Sequence, residues 1–117
     1  MTDLLPGVPS LATRFLERAI LEIQTLHSLL ERVDSDAAPA LARVARVAHS
    51  IHGTGAAFGF DAVSECAGAL ERRVKSHLAS VEFAAGTVGL RDELHALVAR
   101  LDISITEALV RLQRSLP

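Results

Sequence analysis

Apolar residues recur at three- and four-residue steps along four stretches of this chain, the period of a helix that packs on one side. The first stretch follows Ser10, a residue suited to capping, and carries Leu16, Ala19, Ile20, Ile23, Leu26, Leu30 and Val33 on one face. Arg14, Glu17, Arg18, Thr25, Ser28 and Arg32 fall on the other side, so a helix is expected from Ser10 to Val33. Asp34-Ser35-Asp36 reads as a turn and cap, and a second helix is expected from Ala37 to Phe58. Pro39 is tolerated in its first turn, and its inner stripe is Leu41, Val44, Ala48, Ile51 and Gly55. Gly59 is placed to terminate that helix in a left-handed conformation.

Asp61 is expected to cap a third helix, with Val63, Cys66, Ala67, Leu70, Val74, Leu78 and Val81 facing inward. Gly86 and Gly89 punctuate a loop, and a long fourth helix follows with Leu90, Leu94, Leu97, Leu101, Ile105, Ala108 and Leu112 on one side. Four amphipathic segments with short connections predict an all-α, antiparallel up-down-up-down four-helix bundle. Residues 1–117 read as one domain, with residues 1–9, marked by Pro6, Gly7 and Pro9, as an irregular start.

Composition agrees with this reading. A chain of 117 residues buries one modest core; half of it is apolar, only 3% is aromatic, and Trp and Tyr are absent. Helix-on-helix packing of Leu, Val, Ile and Ala suits such a mix. A net charge of −2 with no basic run argues against nucleic acid as a partner. The lone Cys66 excludes an internal disulfide and fits a reducing compartment. No apolar run reaches the roughly 18 residues of a membrane span, and Met1 to Pro9 lacks the features of a signal peptide. A cytoplasmic monomer without membrane association is the expectation.

One residue stands out chemically. On a helical wheel His49 lies roughly 120° from the centre of its helix's core stripe, at or just outside the buried edge. Its neighbours one and two turns away are Ala42, Ala45, Gly53 and Ala56, so nothing bulky shields the imidazole. Gly53 costs about 1 kcal/mol relative to Ala within a helix, which suggests a need for close approach by a partner. A neutral imidazole is a good nucleophile near neutral pH and can accept a phosphoryl group. Arg46 and His52, one turn to either side, are candidate phosphate-supporting donors.

The run Ala48-His49-Ser50-Ile51-His52-Gly53, continued to Phe58-Gly59, resembles the signature of histidine-containing phosphotransfer (HPt) domains. That signature is His-x-x-Lys-Gly with a second Gly six residues after the first, and His49, Gly53 and Gly59 match in place. The stretch through Ala67-Gly68-Ala69-Leu70-Glu71 resembles the family's next helix, including its Leu-Glu pair. The resemblance implies a phosphorelay carrier, rather than a self-sufficient catalyst, with His49 as acceptor. It also implies a receiver domain or a histidine kinase as partner, and a divalent metal such as Mg2+ on the receiver alone, so that no cofactor is expected here. His52 stands where the family has Lys, and an imidazole is charged only part of the time near neutral pH, so a steeper pH dependence is expected.

Other readings carry less. His49 and His52 supply only two ligands, too few for a metal site. His27 reads as a core or boundary residue, His77 as the edge of its stripe, and His95 as solvent-facing. Cys66 reads as a small buried hydrophobe, and Arg72, Arg73 and Lys75 as a solvated basic face. The alternative function is a helical adaptor of the same fold that binds a signalling partner without phosphorylation.

Overall fold

The computed structural model describes residues 10–80 and 88–115. Among the described residues four helices run in chain order: α1 (Leu11–Leu30), α2 (Ala37–Ala57), α3 (Asp61–Leu78) and α4 (Leu90–Arg114). Each packs on its chain neighbour, and α4 closes back onto α1, giving the antiparallel bundle expected from the apolar pattern. The predicted stripes supply the core, with Leu16, Leu26, Leu30, Leu41, Ile51, Leu70, Leu94, Leu101 and Ile105 all essentially inaccessible. Val81 and Gly86 lie outside the described residues.

The helix ends differ from expectation in instructive ways. Ser10 caps α1 through its hydroxyl, which accepts from the Thr13 amide at 3.1 Å. That helix stops at Leu30, three residues before Val33, because the amides of Arg32 and Val33 tighten to three-residue bonds with the carbonyls of Leu29 and Leu30. Val33 is nonetheless buried, so the stripe outlasts the helix. Asp36 precedes α2 without a side-chain capping bond. Phe60, rather than Asp61, occupies the cap position of α3, and Asp61 sits in its first turn, where the helix dipole favours an anion.

Gly59 ends α2 as expected. Its φ of +81° is left-handed, its amide donates to the Ala56 carbonyl at 3.0 Å, and the Phe60 amide donates to the Gly55 carbonyl at 2.8 Å. This paired pattern turns the chain sharply into α3. The α2–α3 pair therefore forms a hairpin in which the two helices run close together. Gly55 is buried there, and a Cβ on it would sit 3.4 Å from the Ser64 amide nitrogen.

Candidate functional site

Tight α2–α3 packing decides what His49 meets. Its side chain is 71% exposed, yet its Nδ1 lies 2.9 Å from Oε2 of Glu71, whose own side chain is only 9% exposed. Glu71 sits one turn after the core residue Ala67 on the same face of α3, which carries its carboxylate to the seam between the helices. Lys75, one turn further on, places its ammonium 2.8 Å from the same Oε2.

Burial pushes the Glu71 carboxyl up, but hydrogen bonds and charge from Lys75 and His49 outweigh it and hold the group below the ordinary carboxylate range. An ionised carboxylate only accepts, so the His49 Nδ1–H donates to it. In the neutral ring the remaining nitrogen, Nε2, carries the free lone pair, and the side chain as a whole is largely exposed. Such an arrangement can act as an oriented nucleophile, with one nitrogen protonated and tethered and the other available.

The other predicted residues take different places. Gly53 and Ala56 are exposed, and a Cβ on Gly53 would meet nothing within 4 Å, so the surface beside His49 is open. Arg46 is exposed on the same helix, and Ala42 is half-buried. Ala45 is only 7% exposed and belongs to the core, since it turns toward the interior with Leu41 and Ala48; the docking role expected of it is corrected accordingly.

His52 is half-buried and engaged elsewhere. Its Nδ1 lies 2.8 Å from the Ser64 carbonyl and 3.0 Å from the Ser64 hydroxyl, and that hydroxyl donates back to the His52 carbonyl at 3.0 Å. The carbonyl can only accept, so Nδ1 carries the proton and Nε2 has none to offer in the neutral ring. Gly68 makes room for this: a Cβ there would stand 3.0 Å from His52 Nδ1 and 3.2 Å from an Arg72 guanidinium nitrogen. His52 thus fastens α2 to α3.

Three participants were not picked out from the sequence as site residues: Glu71, Lys75 and Ser64. A legible signal existed only for Glu71, an acidic residue on the same face as core residues of α3. The basic cluster also resolves differently from a uniformly solvated face. Arg73 makes two hydrogen bonds to Glu93, at 2.6 and 3.1 Å, and ties α3 to α4, while Lys75 serves the His49 site. His95 is not simply solvent-facing; its Nδ1 lies 2.6 Å from His27 Nδ1 and its Nε2 2.8 Å from Glu31. His77 is only 3% exposed and Cys66 is half-buried. Among the described residues no group of three His, Cys, Asp or Glu side chains could hold a metal ion, and no helix is long and apolar enough to cross a membrane.

No curated protein and no solved structure matches this chain. A family model described as Hpt domain matches residues 10–102, which take in His49, Glu71, Lys75 and most of the four helices. With the bundle and the tethered, solvent-facing histidine beside it, that match over most of the chain shows that the protein belongs to the Hpt domain family.

Proposed function

We propose that the protein is a phosphorelay carrier in two-component signalling, receiving a phosphoryl group on His49 from a receiver-domain aspartyl phosphate or a histidine kinase and passing it to a receiver aspartate. The observation that carries this reading is the His49–Glu71 hydrogen bond, which leaves Nε2 of a largely exposed ring as the nucleophile. In transfer from a receiver, the Nε2 lone pair attacks phosphorus in line with the departing carboxylate oxygen. The N–P bond forms as the O–P bond breaks, and the electron pair of the latter returns to the aspartate. The Nδ1 proton stays on the ring, where the Glu71 carboxylate offsets the positive charge that develops. Reversal of these steps delivers the group to another receiver.

Docking in this account uses the open surface around His49: Arg46, Gly53 and Ala56, with Ala42 at its edge. Such a contact is modest in area and short-lived, as a shuttle requires. The divalent cation belongs to the receiver, so this chain brings no cofactor of its own, and a cytoplasmic monomer suffices. The test is incubation with a phosphorylated receiver domain. Wild type should gain acid-labile, base-stable phosphate, and His49→Gln should gain none while keeping its helical circular dichroism. A His49→Gln protein that still binds its partner and supports full signalling would instead establish the adaptor role.

A further inference from the structure

A phosphoryl group on His49 Nε2 brings negative charge to an exposed position and needs a cation within reach. Four basic side chains surround the site: Arg46, His52, Arg72 and Lys75. His52 is spent on Ser64, with its protonated nitrogen turned to α3. Arg72 lies over the Gly68 notch beside the His52 ring, one turn along the hairpin. Arg46 shares the exposed face of α2, but no contact ties it to the ring. Lys75 alone is coupled to His49 by geometry, because its ammonium and the imidazole Nδ1 bind one and the same oxygen, Oε2 of Glu71, at 2.8 and 2.9 Å.

We infer that Lys75 is the residue that holds the phosphoryl group once it is on His49, exchanging its bond to Glu71 for the phosphoryl oxygens. This rests on His49 being the acceptor. In the resting protein Glu71 Oε2 serves two cationic or donor partners at once. Loading makes the ring positive, which strengthens the Nδ1–H bond to Glu71 and weakens the claim of Lys75 on that oxygen. The new phosphoryl dianion simultaneously offers the ammonium a stronger partner. The Lys75 side chain is 63% exposed on a flexible four-carbon stem, so it can swing without repacking the core. Glu71 and Lys75 thereby divide the labour: the carboxylate aims the ring before transfer, and the ammonium neutralises the product after it. No proton or electron is gained or lost in the exchange.

The experiment loads the full-length protein with phosphoramidate, a small donor that needs no docking surface, and follows both rate and the 31P signal of the phosphohistidine. Lys75→Met should slow loading about tenfold, a loss of roughly 1.4 kcal/mol of transition-state stabilisation. It should also move the 31P signal toward that of free phosphohistidine, a change that a merely structural role would not produce. Lys75→Arg should restore most of both, whereas Arg72→Met should leave both as in wild type. If Lys75→Met loads like wild type with an unshifted signal, the assignment to Lys75 fails while His49 stands. If wild type forms no phosphohistidine at all, the acceptor reading itself fails, and the role of Lys75 with it.

Discussion

An imidazole has two nitrogens, and a carboxylate that occupies one of them decides which remains for chemistry. Glu71 makes that choice for His49, and it does so from a buried position at the helix seam. Replacing it with Gln keeps the shape but substitutes a weaker neutral acceptor whose amide can flip and offer a donor instead. Glu71→Gln should therefore slow phosphoryl loading about tenfold or more without unfolding the bundle, measured by the phosphoramidate assay beside circular dichroism. The Glu71 carboxyl also has a pH consequence. Burial raises it, but Lys75 and His49 hold it below its ordinary range, so its stabilising contribution is present above about pH 4.5 and is lost as the pH falls through its lowered value. Wild type should lose thermal stability below about pH 4.5 more steeply than Glu71→Gln does.

At the level of elements, the α2–α3 hairpin contains two glycines with opposite reasons to be there. Gly53 faces open space, so Gly53→Ala should raise stability by about 1 kcal/mol through helix propensity alone. The same change should slow transfer from a receiver protein yet leave phosphoramidate loading untouched, because only the protein partner must approach closely. Gly68 is the reverse: an added methyl meets the His52 ring at 3.0 Å. Displacing a ring held by Ser64 offsets any gain in propensity, and Gly68→Ala should be destabilising by about 1–2 kcal/mol in thermal or urea unfolding. Periodicity in the sequence revealed the helices, their inner faces, the Gly59 turn and His49, since each of these is a local property of one segment. Glu71, Ser64 and Lys75 escaped it because their roles exist only when α3 lies against α2, across 12 to 22 residues of chain. His52 bonds Ser64 on the neighbouring helix, a partner that no pattern within one segment displays.

Across the whole molecule, polar contacts close the ring of helices that the apolar core builds. Arg73–Glu93 joins α3 to α4, and Arg91–Asp34 ties α4 to the turn after α1. The stacked His27–His95 pair joins α1 to α4 at a centroid distance of 4.8 Å. Burial first, and His95 second, lower the His27 pKa against the opposing pull of Asp102 and Glu31. The folded state thus resists protonation of His27, so its stability is complete above about pH 6.5 and declines as the pH falls below that. Melting temperatures between pH 7 and 5 should fall in wild type and flatten in His27→Gln, with phosphoryl loading unaffected because the pair lies away from the His49 seam.

All of these scales meet in the claim that His49 presents Nε2 while Glu71 keeps Nδ1. The direct measurement is a long-range 1H–15N spectrum of the phosphorylated protein, with 31P coupling to identify the bonded nitrogen. The account predicts phosphorus on Nε2 of His49 and a proton still on Nδ1. Phosphorus on Nδ1, or on any other residue, would contradict it.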